Sequence, residues 1–255
     1  MTTAFLVTSG LVASRVGGVL MTMPALGAKG VPKVAKILGL IALTVVIAPM
    51  VPTAEVRPTV GLLVFAMMTE VLVGVIIGGV VSTIFASLPL AYAFITNQIG
   101  HGAAQLFDPM LKVSHGPVST LASMLAAAIF LGLNLHLVLL INVADSFQVV
   151  PPGSVINPID GGRYWISTFG EMLEAGLRMS APVLALVFTI HMFVAVLTKI
   201  APQMNIFFSL GMIMTVGAGL WMVQIIFPYQ FEAHMALVGN AVAMVPDVLA
   251  EMEVR

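Results

Sequence analysis

The residues whose side chains could take part in ion pairing or proton transfer are the few ionisable ones inside long apolar runs. Arg15 is the only charge in residues 5–23, and Glu70 is the only charge in residues 59–85. A buried carboxylate is costly unless it is paired, so we expect Glu70 to have a partner, either Arg15 or a neighbouring subunit. A proton relay is the alternative role, but no second carboxylate stands at helical spacing from Glu70. The pattern therefore favours a structural role for both charges.

Two further polar residues, Asn134 and His136, lie in the apolar run 118–141 and need partners in hydrocarbon. A lone histidine in such a run is more often a hydrogen-bonded packing residue than a metal ligand. No second histidine lies three or four residues away, so the sequence predicts no metal site. The chain has no cysteine and no GxSxG, HExxH or paired-carboxylate motif. We therefore expect neither a catalytic residue nor a cofactor, and no enzymatic activity.

The least regular stretch is residues 100–117, which reads GHGAAQLFDPMLKVSHGP. Pro109 lacks an N–H and biases Asp108 away from the helical region, so a regular helix is excluded here. Irregular backbone at membrane depth is tolerated only where protein or a water-filled cavity surrounds it. The stretch either lines or closes a conduit, or is an ordinary loop between two spans. The residues expected to shape it are Gly100, Gly102, Asp108, Pro109, Gly116 and Pro117.

Composition indicates what kind of protein positions these residues. The 255 residues are 60% apolar and only 8% charged, whereas soluble domains carry about 25% charged residues. A membrane protein is therefore expected, as one integral domain over residues 1–255. The net charge of −1 suggests no nucleic-acid partner. The first charge, Arg15, comes after the apolar run has begun, so we do not interpret the N-terminus as a cleaved signal peptide.

About six long, partly broken apolar helices are predicted, because a span needs about 20 mostly apolar residues. Residues 59–99 are expected to break around Pro89. Polar segments are expected at 145–163 and in the tail, 228–255. Small residues at four-residue spacing predict close helix packing on two faces: Gly10, Ser14 and Gly18 on the first span, and Gly74 and Gly78 on the third.

Charge predicts the orientation. The loop at 24–36 contains three lysines and no acid, which is typical of the cytoplasmic side. With six crossings, every lysine then falls on that side: Lys29, Lys33, Lys36, Lys112 and Lys199. An interfacial lysine cluster without topological meaning is the alternative.

Across most of its length the sequence resembles the FliR family, a core subunit of the flagellar type III protein export gate. The resemblance is carried by these blocks in chain order: RVGGVLMTMPALGAKGVPKVAK from Arg15; Glu70 with Gly74 and Gly78; Phe107-Asp108-Pro109; Phe130, Leu131, Asn134 and His136 as FLxxNxH; Ser146-Phe147 with Pro151 and Gly153; and Ala201-Pro202-Gln203 with Asn205, Ile206 and Phe207.

The resemblance implies an all-α membrane protein with a FliP-like part at about 1–178, a FliQ-like helical hairpin at about 179–227 and a tail at 228–255. It implies a loop that plugs the closed conduit, with apolar stoppers at Leu106, Phe107, Met110 and Leu111. It also implies a turn facing the cytoplasmic entrance, formed by Lys199, Pro202, Gln203 and Asn205.

The partners implied by the resemblance are FliP and FliQ homologues, the large FlhA- and FlhB-like subunits, unfolded flagellar proteins and membrane lipid. The implied location is the bacterial inner membrane at the flagellar basal body. Two alternatives stay open at this point. One is the related virulence secretion gate, and the other is a secondary transporter that uses Glu70 and Arg15 and breaks a helix around Pro89.

Overall fold

The computed structural model describes residues 2–24, 31–54, 59–100, 117–154, 156–200 and 210–252, and within them it contains helices and no strand. The helices, in chain order, are α1 (Thr2–Thr22), α2 (Lys33–Ile47), α3 (Val60–Phe85), α4 (Ser87–Gln98), α5 (Pro117–Gly132), α6 (Leu135–Val149), α7 (Pro158–Ile200), α8 (Met212–Ala243) and α9 (Val245–Met252), with a 3₁₀ turn at Ala48–Met50. The predicted all-α fold is confirmed.

Five of these helical stretches are long and apolar enough to cross a membrane, and the α5–α6 pair makes six if its bent halves form one span. This agrees with the predicted number. The count refers to the described ranges of the chain.

Two proline-containing segments depart from the expected boundaries. Helix α7 runs from residue 158 to residue 200 and passes through Pro182, although the sequence predicts a polar loop to 163 and a new span from 179. Helix α8 passes through Pro228, so most of the predicted tail is helical. Proline is tolerated inside membrane helices because neighbouring groups satisfy the backbone that it leaves unbonded.

The apolar run 118–141 does not form one straight helix. Helix α5 ends at Gly132, and α6 leaves it at an angle of 61°. The connecting residue Asn134 has φ 58°, a left-handed conformation that asparagine tolerates better than most residues. The expected break near Pro89 falls instead at Ala86, and Pro89 lies in the first turn of α4, where its missing N–H costs little.

The chain forms two compact units. The first comprises Met1–Phe85, Ala127–Gly170 and Ala236–Arg255, and the second comprises Ala86–Ala126 and Glu171–Met235. The first unit has a continuous apolar core built from α1, α3, α6 and the chain's last helices, with Val16, Ile77, Phe147, Val242 and Leu249 among its buried members.

Candidate functional site

The site in the first unit begins with a tight contact between α1 and α3. A Cβ atom placed on Gly74 would lie 2.1 Å from the carbonyl oxygen of Arg15, and one on Gly18 would lie 2.5 Å from the carbonyl oxygen of Val71. A Cβ on Gly78 would lie 2.2 Å from Thr22 Oγ1. Only glycine permits this approach, so the predicted close-packing role of Gly74 and Gly78 is confirmed.

The approach of these helices brings Arg15 beside Glu70. Arg15 Nε donates a hydrogen bond to Glu70 Oε2 at 2.6 Å, and both side chains are almost fully buried, at 0% and 3% exposed. Arg15 was one of the two partners considered for Glu70 from the sequence, and it is the partner seen here. The remaining donors of the guanidinium point away from α3, toward α6.

The C-terminal end of α6 supplies acceptors for those donors. Arg15 Nη1 donates to the carbonyl oxygen and to Oγ of Ser146, both at 3.0 Å, and Nη2 donates to the carbonyl oxygen of Val150 at 2.9 Å. The guanidinium carbon also lies 4.0 Å from the ring centroid of Phe147, which is a cation–π distance. One side chain therefore connects α1, α3 and the end of α6.

The turn after α6 closes the network on the carboxylate side. Gly153 has φ 77°, a conformation that glycine adopts readily, and its N–H donates to Glu70 Oε1 at 2.8 Å. Each carboxylate oxygen therefore accepts a hydrogen bond, and Nε, Nη1 and Nη2 of Arg15 all donate. A buried pair is retained when its geometry is good and its remaining polar atoms are bonded, and both conditions hold here.

This network holds α1, α3 and the end of α6 together and leaves few polar atoms of Arg15 and Glu70 available to bind anything else. A transported ion or a substrate would have to displace hydrogen bonds that the protein already makes. Among the described residues, no group of three or more histidine, aspartate or glutamate side chains is placed to hold a metal ion.

The second unit has a buried polar cluster of its own. Tyr92 donates to Gln230 Oε1 at 2.7 Å, and Gln230 Nε2 donates to the carbonyl oxygen of Met179. Nearby in sequence, Ser87 Oγ lies 3.1 Å from His234 Nδ1. Pro182 disturbs the helix in this turn because it has no N–H for the carbonyl of residue 178, and Gln230 supplies a donor to the adjacent carbonyl.

Several of the predicted site residues lie outside the described residues, so the structure says nothing of their placement. These are Gly102, Leu106, Phe107, Asp108, Pro109, Met110, Leu111, Gly116, Pro202, Gln203 and Asn205. Gly100 follows the end of α4 with φ 97°, and Pro117 is the first residue of α5. Lys199 is exposed in the last turn of α7.

Asn134 and His136 do not join the Arg15 network. Asn134 occupies the left-handed bend between α5 and α6, and its side chain is exposed on the surface of this chain. The expectation that Asn134 packs as a buried polar residue stays a prediction. His136, in the first turn of α6, is half-buried, and its Nδ1 has no hydrogen-bond partner among the described residues.

The sequence did not assign roles to the residues that complete the network. Ser146, Val150 and Gly153 act largely through backbone atoms, which residue type does not reveal. A signal was nevertheless present, because a serine and a phenylalanine followed by Pro-Pro-Gly at 151–153 mark a helix end with free carbonyls. The Tyr92–Gln230 pair had no comparable signal.

A chain with these helices and an internally satisfied ion pair is an all-helical membrane protein of several spans. It matches the family model for bacterial export proteins, family 1, over residues 6–241. The chain therefore belongs to that family, and its identification from the sequence as a FliR-family member is confirmed.

Curated relatives cover most of the chain. The flagellar biosynthetic protein FliR of Caulobacter vibrioides is 28% identical over 209 residues, which is 81% of this chain and 83% of the relative. The protein of that name from Escherichia coli is 25% identical over 240 residues, with 93% and 91% covered. The one from Bacillus subtilis is 27% identical over 205 residues, with 77% of each chain covered.

Proposed function

We propose that this chain is a core subunit of the flagellar type III protein export gate in the bacterial inner membrane. Together with FliP and FliQ homologues, it would form the conduit through which unfolded flagellar proteins leave the cytoplasm. The observation that carries the proposal is the family match over residues 6–241, which covers most of each described apolar helix and the sequence between α4 and α5. The flagellar name of the curated relatives favours a flagellar gate over the related virulence gate.

The exposed apolar surface of the helices supports a place in a membrane or in a membrane-protein assembly. Large apolar side chains remain exposed along α3 and α7, among them Phe65 at 64%, Met68 at 63% and Phe188 at 60%. Such surface must be covered by lipid or by other subunits. In the proposed assembly, a FliP-like part at about 1–178 and a FliQ-like hairpin at about 179–227 would pack against their homologues.

The gate itself is proposed to lie in residues 100–117. Gly100 follows the end of α4 with φ 97°, a conformation that favours glycine, and α5 begins at residue 117, so the residues between them connect two apolar helices. Leu106, Phe107, Met110 and Leu111 would form an apolar constriction that excludes water and ions yet deforms when a polypeptide passes.

The turn that follows α7 is proposed to face the cytoplasmic entrance. Lys199 lies in the last turn of α7, with Pro202, Gln203 and Asn205 just beyond it. This position would place the turn beside the large FlhA- and FlhB-like subunits. The lysine agrees with the cytoplasmic side assigned by charge.

The geometry of the Arg15–Glu70 pair argues against the secondary-transporter alternative. It requires Arg15 or Glu70 to be available to a small substrate, whereas both side chains are bonded to each other and to backbone atoms. No observation favours an enzyme, and we propose a non-enzymatic role.

Ion leak tests the plug assignment. Phe107→Ala, or deletion of residues 105–112, should raise passive ion conductance of membranes that contain the assembled complex, while the complex still purifies with its FliP and FliQ homologues. Phe188→Ala, which removes an exposed phenylalanine from α7, is the matched control and should leave conductance at background. Background conductance in both loop variants, with assembly intact, would rule out the plug.

A further inference from the structure

A cleft between α1 and α2 has no role in the proposed function. Its volume is about 380 Å³, and its lining residues are Gly17, Leu20, Met21, Lys33, Lys36, Ile37 and Leu40. This volume lies within the range of small-molecule sites, roughly 300–1,000 Å³. We propose that the cleft binds one phospholipid with an anionic headgroup, its phosphate at the lysines and an acyl chain against the apolar walls.

The part of the lining that α2 contributes changes from charged to apolar along the helix. Lys33 and Lys36 stand one helical turn apart on the same face, and Ile37 and Leu40 continue that face. From Lys33 to Leu40 the helix rises about 10 Å. The cations therefore lie at the beginning of the helix and the apolar side chains lie deeper, which is the arrangement of charge and hydrocarbon in a lipid molecule.

Charge around the cleft is complementary to a phosphate group. The first turn of α2 contains two lysines and no acidic side chain, and the last turn of α1 contains none either. The loop that joins the two helices is the one that charge assigns to the cytoplasmic side. Lys33 and Lys36 would then lie at the headgroup level of the leaflet that carries anionic lipids.

Gly17 and Leu40 face each other at the floor of the cleft. A Cβ atom placed on Gly17 would lie 3.8 Å from one methyl group of Leu40 and 4.0 Å from the other. The absence of a side chain at Gly17 therefore keeps the floor open, and a large side chain at this position would fill it.

Site-specific quenching tests the proposal on the full-length protein in nanodiscs. The chain has no cysteine, so a single Met21→Cys substitution at the rim, where Met21 is 74% exposed, accepts a bimane label without further changes. Brominated phosphatidylglycerol should quench this label at a several-fold lower mole fraction than brominated phosphatidylcholine. A label at Leu38→Cys, which is exposed but does not line the cleft, should be quenched equally by both lipids.

Three variants separate the cleft from general attraction to the membrane. Lys33→Gln with Lys36→Gln should reduce the phosphatidylglycerol preference about tenfold or more. Gly17→Leu should abolish the preference by filling the floor while both lysines stay in place. Arg163→Gln, which removes an exposed cation elsewhere, should leave it unchanged.

Two results would overturn the proposal. One is equal quenching of the Met21→Cys label by the two lipids in the otherwise unchanged protein. The other is a label that neither lipid quenches and that becomes inaccessible only when partner subunits are added, because the cleft would then be a protein interface. Neither readout depends on export, so the proposed function can fail while the lipid site stands.

Discussion

Removal of one partner from the Arg15–Glu70 pair should destabilise the first unit severely. Arg15→Ala deletes four hydrogen bonds, to Glu70 Oε2, to two atoms of Ser146 and to the carbonyl oxygen of Val150. It leaves a carboxylate that is 3% exposed with one remaining donor, the N–H of Gly153. A buried charge without its counter-charge is the main source of the expected loss.

The expected magnitude follows from the burial of the pair. Breaking a buried ion pair by removing one partner costs about 3–5 kcal/mol. Glu70→Gln is also informative, because its amide must turn an NH₂ group toward either Arg15 Nε or the N–H of Gly153, and both are donors. We expect this nearly isosteric change to cost about 2–4 kcal/mol, since it adds an unsatisfied donor to the lost charge.

Thermal unfolding in detergent measures these losses. Trp165 is a suitable fluorescence probe because it lies in the same unit, packed on Gly79 and hydrogen-bonded to Thr83. At roughly 2–4 °C per kcal/mol for a chain of about this size, Arg15→Ala should lower the Tm by about 6 °C or more. The control is Glu174→Gln, which breaks an exposed pair with Arg178 and should cost less than about 1 kcal/mol.

A double-mutant cycle separates the pair from its surroundings. Arg15→Met combined with Glu70→Met removes both charges, so the double variant should be more stable than the sum of the single losses predicts, by about 2 kcal/mol. Additive losses, or an Arg15→Ala protein that unfolds within about 1 °C of the parent, would show that the network does not stabilise the fold in the way described.

Two further predictions concern backbone geometry. Gly74→Ala should lower the Tm by several degrees, because the added Cβ would lie 2.1 Å from the carbonyl oxygen of Arg15, whereas Gly39→Ala, with nothing within 4 Å, should raise or keep it. Asn134→Gly should leave stability nearly unchanged, while Asn134→Ala should cost about 1–2 kcal/mol, because only the second change strains the left-handed bend at φ 58°. Equal Tm values within either pair would contradict the corresponding argument.

The sequence predicts the helices and the glycine contact well because both are local patterns. Apolar runs mark the spans, and the four-residue spacing of Gly74 and Gly78 marks the face that packs. The partner of Glu70 stayed open because pairing depends on which helices meet, and Arg15 is 55 residues away. The atoms that complete the network belong to the backbone at 146–153, which no side-chain pattern identifies.

Two helix boundaries differ from those that the sequence predicts. The predicted tail begins at Pro228, yet Pro228 lies inside α8, and the chain bends at Asn134 within the apolar run 118–141. In a protein that has few water molecules to satisfy a broken backbone, continuing the helix and bonding the exposed carbonyls costs less than ending it. The bend at Asn134 could not be predicted, because the residue type alone does not show that the backbone of Asn134 is left-handed.

The Arg15 network supplies something that the glycine contact lacks, which is a single register. Gly10 and Gly18 both lie on α1, so a slip of two turns would place Gly10 where Gly18 now packs against α3. Such a slip moves the helices by about 12 Å along each other. Close packing would survive this shift, but Arg15 and Glu70 would be drawn out of hydrogen-bonding range. The charged pair therefore selects one of the two alignments that the glycines allow, and this specificity is a sufficient reason to keep charge in an otherwise apolar core.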